Sequence, residues 1–212
     1  MKAFLFDMDG VIVDTEDIHR EAEKNILGRY GVTVTDPELS GYAGTSDLYM
    51  YEDIGRKNSV KLPLLEVRKL KDQLFREIIA SRDLKPIAGI PKLLASLKAL
   101  PVRLAIASSS DDDFINYIVD RLQIRSYFEA LISGRNLPVS KPDPAIYLLA
   151  AKTLGLPPSD CVVLEDADSG IQAAKAAGMF CIGYRNPITG CQKLTRADLI
   201  VDRLEDIDVQ KL

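Results

Sequence analysis

The sequence predicts an α/β protein, namely a doubly wound parallel sheet between helices, with an all-helical segment inserted after the first strand. Six short, continuous apolar runs occur along the chain, and such runs are typical of strands buried on both faces. Helix-like segments alternate with these runs, which favours a parallel sheet. Residues 15–84 differ, because their apolar side chains recur at helical spacing and few β-branched runs occur among them.

The elements predicted from this pattern divide the chain into two parts. The strands are predicted at Ala3–Phe6, Arg103–Ala107, Ala130–Ser133, Cys161–Leu164, Met179–Tyr184 and Leu199–Val201. The helices predicted between them are Ile90–Ala99, Asp112–Leu122, Pro144–Leu154 and Ser169–Ala177. The helices predicted in the insert are Glu16–Tyr30, Asp36–Ser40, Ser46–Ile54 and Leu64–Ala80. Residues 1–14 and 85–212 therefore form the predicted core, and residues 15–84 form the predicted insert.

Composition and charge argue against several classes of protein. The 212 residues are 47% hydrophobic and 27% charged, with a formal net charge of −4 and no evident basic face, so nucleic acid is not an expected partner. No apolar stretch approaches membrane-spanning length, so we expect no membrane partner either. The three cysteines are odd in number and fit no zinc-binding spacing, which favours a reducing, cytoplasmic location.

The sharpest chemical feature is the acid pair Asp7 and Asp9, which follows the first apolar run and precedes Gly10. Strand alternation directs both carboxylates to one side, where they repel each other unless a cation is present. Mg²⁺ suits such a site because it takes oxygen ligands together with substrate phosphate. One carboxylate can then accept a phosphoryl group covalently while the other transfers protons. The alternative interpretation is a turn or capping pair at a strand end.

Three further polar features also follow predicted strands. The hydroxyl run Ser108–Ser110 precedes a helix, where it can bind phosphate or simply cap that helix. Lys141 follows the third strand by a loop and supplies positive charge, although an isolated loop lysine is usually solvated. Glu165 and Asp166 end the fourth strand, and a helix start readily explains only one of them. Because doubly wound sheets bind ligands beyond the carboxyl ends of their strands, the features together predict one phosphate site.

In these motifs the chain resembles the haloacid dehalogenase superfamily of phosphohydrolases over essentially its whole length. The motifs are DMDGV at residues 7–11, Ser108, Lys141 within SKPDP, and Glu165 with Asp166 within VVLEDADSGIQAA. The match is to the branch that includes β-phosphoglucomutase, in which a helical cap is inserted after the first strand. The resemblance therefore implies a Rossmann-like catalytic core with residues 15–84 as the cap.

The resemblance also implies a role for each acid, with Mg²⁺ as the cofactor. Asp7 would be the nucleophile and a metal ligand, and Asp9 would be the general acid and base, with its backbone carbonyl on the metal. Asp166, with help from Glu165, would complete the metal site. An acid at position 9 argues against dehalogenation, because attack on a carbon–chlorine bond needs no proton for the leaving group.

The same resemblance implies how phosphate and substrate are held. Ser108 and Lys141 would bind the transferring phosphoryl group, with assistance from Ser109 or Ser110. A cap that closes over the site excludes macromolecules, so the expected substrate is a small-molecule phosphate ester such as a sugar phosphate. The expected activity is therefore that of a magnesium-dependent phosphatase.

A hexose-phosphate mutase is the first alternative. Its chemistry needs a second anion site, yet Asp47 stands where the mutases have an arginine and Asp111 stands where they have a lysine. Two acids at these places would repel a bisphosphate. His19 and Lys71 occupy positions at which mutase cap residues act on substrate. His19 could equally be a surface or packing residue, and Lys71 lies in a charged stretch that favours solvent exposure.

A non-enzymatic phospho-acceptor module is the second and less favoured alternative. Receiver domains also gather acids, a hydroxyl and a lysine around Mg²⁺ on a parallel sheet. They are much shorter than this chain, lack a cap and carry the acceptor in an internal strand. The sequence shows no clear interface, so a monomer or a weak homodimer is expected.

Overall fold

The computed structural model describes residues 1–42, 47–188 and 192–212. Its contacts divide the chain into two compact units. The core unit comprises Met1–Asp14 and Leu84–Leu212, and the insert comprises Thr15–Asp83.

The core unit is built on a parallel sheet of six strands, which confirms the predicted fold class. The strands are β1 Ala3–Phe6, β2 Arg103–Ser108, β3 Ala130–Ser133, β4 Cys161–Glu165, β5 Phe180–Tyr184 and β6 Leu199–Val201. Their order in the sheet is β3-β2-β1-β4-β5-β6, so the chain winds outward from β1 in both directions. Phe6 lies opposite Ile106 of β2 and Leu164 of β4. The polar residues after these three positions therefore meet at one carboxyl edge.

Helices follow the strands and bury the sheet. They are α5 Ile90–Lys98, α6 Asp112–Arg121, α7 Ala145–Thr153 and α8 Asp168–Ala176. Ala3 and Leu5 of β1 pack with the same cluster of buried residues as Tyr147 of α7 and Ile171 of α8. All of β1 is buried, as expected for a central strand of a sheet covered on both faces. The continuous apolar sequence of the strand is thereby explained.

The insert consists of helices, as the resemblance implies for a cap. They are α1 Glu16–Arg29, α2 Asp36–Ser40, α3 Asp47–Lys57 and α4 Leu64–Ser81. Thr35 and Glu38 form a capping box at the start of α2. Ile26 and Leu27 of α1, Tyr51 of α3 and Val67 of α4 are members of the apolar core of the insert.

The third helix differs from the prediction at its C-terminal end. Its predicted first residue, Ser46, lies outside the described residues, and the helix ends at Lys57 instead of Ile54. Gly55 does not end this helix. A side chain at position 55 would place its Cβ atom 2.7 Å from the carbonyl oxygen of Val60, so glycine lets the following turn pack against the helix.

Two of the three cysteines lie within the described residues. Cys161 and Cys181 are buried free thiols, whereas Cys191 lies outside the described part of the chain. Among the helices that the structure describes, none combines the length and apolar character needed to cross a bilayer.

Candidate active site

The turn after β1 presents Asp7 and Asp9 at the carboxyl edge of the sheet. The backbone N–H of Asp7 donates to the carbonyl oxygen of Leu164 at 3.0 Å, so Asp7 still follows the strand geometry. Gly10 then adopts a φ of +79° and donates to the carbonyl oxygen of Val13 at 2.8 Å. A Cβ atom at Gly10 would lie 2.3 Å from the Asp166 carboxylate. Glycine is therefore required both for the turn and for the close approach of Asp166.

Lys141 connects two of the acids at the centre of the site. Its ammonium Nζ donates to Asp7 Oδ1 at 2.6 Å, to Glu165 Oε1 at 2.7 Å and to the carbonyl oxygen of Ala107 at 3.3 Å. The side chains of Lys141, Asp7 and Glu165 are only 9%, 12% and 1% exposed. Burial opposes the charge on Lys141, but the two carboxylates outweigh it and raise its pKa. The predicted loop lysine is thus a buried cation between acids.

Glu165 is held from more than one side. Its Oε1 also accepts a hydrogen bond from the hydroxyl of Tyr147 at 2.8 Å, and its Oε2 accepts one from the backbone N–H of Ala167 at 3.0 Å. Tyr147 is fully buried in α7 and was not predicted as a site residue. The sequence carries no signal for it, because a tyrosine on the apolar face of a helix is indistinguishable from a packing residue.

The oxygens of Asp7, Glu165 and Asp166 form a cluster that fits a divalent cation. One oxygen from each lies within 4.8 Å of the others, and all three residues are buried. Burial raises the pKa of Asp7 to about 7 against the attraction of Lys141, and Glu165 and Asp9 add to the increase. Burial, followed by repulsion from Glu165 and Asp7, raises the pKa of Asp166 well above its usual value. Buried carboxylates that repel one another are stabilised by a bound cation. Mg²⁺ suits this site because it prefers oxygen ligands.

Gln192 is a further neighbour of this cluster that the sequence did not indicate. Its side-chain Nε2 donates to Asp166 Oδ2 at 3.2 Å. Asn186, which is buried, donates from Nδ2 to the carbonyl oxygen of Gly10 at 3.0 Å. Both residues lie after β5, far along the chain from their partners, so only the folded sheet brings them to the site.

The three serines after β2 have different surroundings. Ser108 is only 1% exposed, and its Oγ accepts a hydrogen bond from the backbone N–H of Ser110 at 3.1 Å. The side chain of Ser110 donates to Asp9 Oδ2 at 3.0 Å. Ser109 is exposed. The structure therefore separates three positions that appear equivalent in the sequence.

In the insert, His19 and Lys71 are neighbours, and Lys71 is not solvated. Lys71 is 4% exposed, and its Nζ lies 3.0 Å from Nδ1 of His19. The expectation that Lys71 is exposed is wrong, because it lies on the buried stripe of α4 that also contains Val67, Phe75 and Ile79. This spacing of four residues was the signal in the sequence. The His19 ring stacks on Phe75, and burial together with Lys71 lowers the pKa of His19.

An acidic side chain, Glu23, accompanies this pair. Its Oε1 lies 4.0 Å from the Lys71 ammonium, and burial raises its pKa to about 7, against the attraction of Lys71. The carboxylate of Asp47, the first residue of α3, raises the pKa of Glu23 further. Asp47 and Glu23 therefore make the surroundings of Lys71 partly acidic. Gly44, Thr45 and Ser46, the residues that precede Asp47, lie outside the described residues.

Gly170 in α8 offers a test of how tightly Glu165 is held. A Cβ atom at this position would lie 1.7 Å from Glu165 Oε1, so Gly170→Ala must displace the acid that binds Lys141 and Tyr147. We expect a loss of about 1–3 kcal/mol in the free energy of unfolding, measured with denaturant. Gly28→Ala is the control, because a Cβ atom at position 28 would meet no neighbouring group within 4 Å, and it should stabilise by up to about 1 kcal/mol. If Gly170→Ala stabilised the protein as much as Gly28→Ala, Glu165 would move without cost.

A doubly wound sheet that gathers buried acids around a lysine at its carboxyl edge defines an α/β protein with an acid-rich polar centre. Comparison with known proteins identifies the family of this chain. The family model for haloacid dehalogenase-like hydrolases matches residues 4–184, and the chain belongs to that family. The recognition made from the motifs is thereby confirmed.

Relatives with assigned names include both mutases and phosphatases. The chain is 34% identical over 220 residues to a β-phosphoglucomutase of Bacillus subtilis, covering all of this chain and 94% of that protein. It is 31% identical over 182 residues to a fructose-1-phosphate phosphatase of Escherichia coli, covering 85% of this chain and 95% of that protein. The crystal structure of CbbY from Rhodobacter sphaeroides in complex with phosphate superposes with a TM-score of 0.85 at 27% identity, covering 97% and 96% of the two chains.

Proposed function

We propose that this protein is a magnesium-dependent phosphatase that hydrolyses a small phosphate monoester, such as a sugar phosphate, through an aspartyl-phosphate on Asp7. The observation that carries the proposal is the Lys141 ammonium, which donates to Asp7, to Glu165 and to the carbonyl oxygen of Ala107, the residue before Ser108. A cation in this position orients the nucleophile and offsets its repulsion from an incoming phosphate. Phosphoryl transfer depends mainly on such positioning and charge neutralisation.

Asp7 and Ser108 have complementary parts in this reaction. A carboxylate oxygen of Asp7 attacks phosphorus, a new oxygen–phosphorus bond forms, and the bond from phosphorus to the ester oxygen breaks. The Ser108 oxygen accepts a hydrogen bond from the Ser110 backbone, so its own hydroxyl proton can be donated to a phosphoryl oxygen. Lys141 supplies positive charge on the side of Asp7 Oδ1.

Asp9 is the proposed proton carrier. In its protonated form it donates to the ester oxygen as that group leaves, which spares the formation of a free alkoxide. The resulting carboxylate then takes a proton from water as the water attacks the phosphorus of the aspartyl-phosphate. The bond between phosphorus and Asp7 breaks, inorganic phosphate is released, and Asp9 returns to its protonated state.

Asp7, Asp166 and the backbone carbonyl of Asp9 are the groups that would hold Mg²⁺. When bound, Mg²⁺ would neutralise charge on the phosphoryl oxygens and on the acids. Both oxygens of Glu165 accept hydrogen bonds from the protein, so this acid contributes mainly by holding Lys141. The raised pKa of Asp166 reflects the same need for a cation.

The insert is proposed to act as a cap that contacts the organic part of the substrate through His19, Lys71 and Asp47. The acids around Lys71, namely Glu23 and Asp47, favour a substrate with hydroxyl groups over one with a second phosphate. In the core unit, the Asp111 side chain accepts from the backbone N–H of Phe114 and caps α6, so it offers no anion site. A monophosphate is therefore favoured over the bisphosphate that a mutase must bind.

The test of this function measures phosphate release and metal binding separately. Purified protein with Mg²⁺ should release phosphate continuously from p-nitrophenyl phosphate and from members of a sugar-phosphate panel, and EDTA should stop it. Mg²⁺ at about 100 times its dissociation constant should raise the melting temperature by roughly 5–10 °C in the wild type. Asp166→Asn should reduce that shift. Interconversion of glucose 1-phosphate and glucose 6-phosphate faster than phosphate release would instead establish a mutase. Release of a single equivalent of p-nitrophenol, with the phosphoryl group retained on the protein, would establish a phospho-acceptor.

A further inference from the structure

Ser110 is fixed through three of its polar groups. Its backbone N–H donates to Ser108 Oγ at 3.1 Å, and its carbonyl oxygen accepts from the hydroxyl of Ser133 at 2.7 Å. Its own hydroxyl donates to Asp9 Oδ2 at 3.0 Å. Ser133 is the last residue of β3, which pairs with β2 at Ser108. Ser110 is therefore tied to the ends of two strands while its side chain reaches the turn after a third.

These contacts give the three serines different capacities. Ser108 accepts from the backbone of Ser110, which leaves its hydroxyl proton for a phosphate oxygen. The hydroxyl of Ser110 is directed at a carboxylate oxygen of Asp9, and hydrogen bonds to carboxylates are stronger than neutral ones. Ser109 is exposed. Ser110 therefore differs from its two neighbours in the serine run. Its hydroxyl faces Asp9, and it is not needed to explain phosphate binding.

We infer that Ser110 is a positioning residue for Asp9: by holding Oδ2, it orients the carboxyl group so that Oδ1 delivers the proton to the leaving oxygen. This inference rests on the proposed function, in which Asp9 is the proton carrier. The proton moves from Asp9 Oδ1 to the ester oxygen as the ester bond to phosphorus breaks. In the second step the same oxygen takes a proton from the attacking water. Ser110 keeps its own proton throughout.

A positioning role for the acid predicts that the effect of Ser110→Ala depends on the leaving group. p-Nitrophenolate leaves readily without a proton, whereas the more basic phenolate benefits from protonation. The two aryl phosphates have nearly the same shape, and kcat/KM reports steps up to departure of the alcohol. The ratio of the two kcat/KM values is independent of how much of the variant is folded. Partial unfolding therefore cannot imitate the expected result.

The experiment compares phenyl phosphate with p-nitrophenyl phosphate in the wild type, Ser110→Ala, Ser110→Thr and Ser126→Ala, all with Mg²⁺. Ser110→Ala should lower kcat/KM for phenyl phosphate about 10- to 100-fold and that for p-nitrophenyl phosphate less than about 3-fold. Ser110→Thr keeps a hydroxyl and should retain a ratio near that of the wild type. Ser126→Ala is the surface control, because this exposed serine precedes β3 at the opposite edge of the sheet.

Two results would overturn the inference while leaving the proposed function intact. One is an equal fall of both kcat/KM values in Ser110→Ala, which would assign Ser110 to phosphate binding or to the fold. The other is an unchanged phenyl phosphate rate, which would show that Asp9 is oriented without Ser110. Failure of the wild type to turn over either compound would instead contradict the proposed function itself.

Discussion

Replacing Asp7 by asparagine is expected to lower kcat by about 10⁴-fold or more, since the amide cannot form the aspartyl-phosphate. The change is nearly isosteric, and Lys141 keeps its bonds to Glu165 and to the carbonyl oxygen of Ala107. The substitution also removes a carboxylate whose charged form is disfavoured by burial. The fold should therefore survive, and the variant should retain the unfolding transition of the wild type.

The measurement pairs single-turnover kinetics with denaturant unfolding. The wild type, mixed with substrate and quenched rapidly, should show phosphate covalently bound to protein, and Asp7→Asn should show none. Asp9→Asn with p-nitrophenyl phosphate is the matched control: this leaving group departs without a proton, so the variant should accumulate bound phosphate but release it slowly. Wild-type rates in Asp7→Asn, in a protein that unfolds normally, would remove Asp7 from the mechanism.

Lys141→Met is expected to produce the largest loss of stability among these substitutions. It leaves the Asp7 and Glu165 side chains, both at most 12% exposed, without the cation that lies 2.6 and 2.7 Å from them. Removing one partner from a buried ion pair typically costs about 3–5 kcal/mol. Activity should also fall by about 10²-fold or more, because the charge beside the nucleophile is lost.

Two comparison variants separate stability from catalysis. Lys175→Met breaks the pair with Asp198, whose side chains are 34% and 30% exposed, and should cost no more than about 1 kcal/mol. Adding Glu165→Gln to Lys141→Met removes one of the unpaired acids and should recover part of the stability but none of the activity. If Lys141→Met unfolded at the same denaturant concentration as Lys175→Met, the buried network would not be important for the fold.

The strands and their order in the chain could be predicted from local pattern alone. The bounds of β1, β3 and β6 agree with the predicted ones. β2 and β4 each continue one residue further, to Ser108 and Glu165, because those residues still pair with neighbouring strands. Because Ser108 and Glu165 are polar, the sequence suggested that each lies in the loop after its strand. Pairing with the neighbouring strand extends the strand to include them.

The edge of the sheet at which these polar residues meet could also be predicted from the sequence. Asp7, Ser108 and the Glu165–Asp166 pair each follow or end a buried apolar run. In a parallel sheet such positions share one edge, so a one-dimensional pattern predicts a three-dimensional cluster. Lys141 follows its strand by a loop, so the pattern left it open between a site residue and a solvated lysine, and the resemblance to a family favoured the site.

Other contacts depended on residues that are distant in the chain. Tyr147 reaches Glu165, and Gln192 reaches Asp166. Lys71 was predicted to be exposed because its sequence neighbours are charged. It is buried because position 71 continues the stripe of Val67 and Phe75 on α4. Composition describes the average surroundings of a segment, whereas helical rotation decides which of its side chains faces the interior.

The amino-acid sequence by itself determined the alternation of strands and helices, the insertion of a helical unit, and the edge of the sheet at which the acids meet. These follow from apolar periodicity and from the rule that parallel strands end together. Only the tertiary structure decided that Lys141 is buried between Asp7 and Glu165 and that Ser110 faces Asp9. A hydrogen bond requires atoms within about 3 Å, and no local pattern specifies which distant side chain comes that close.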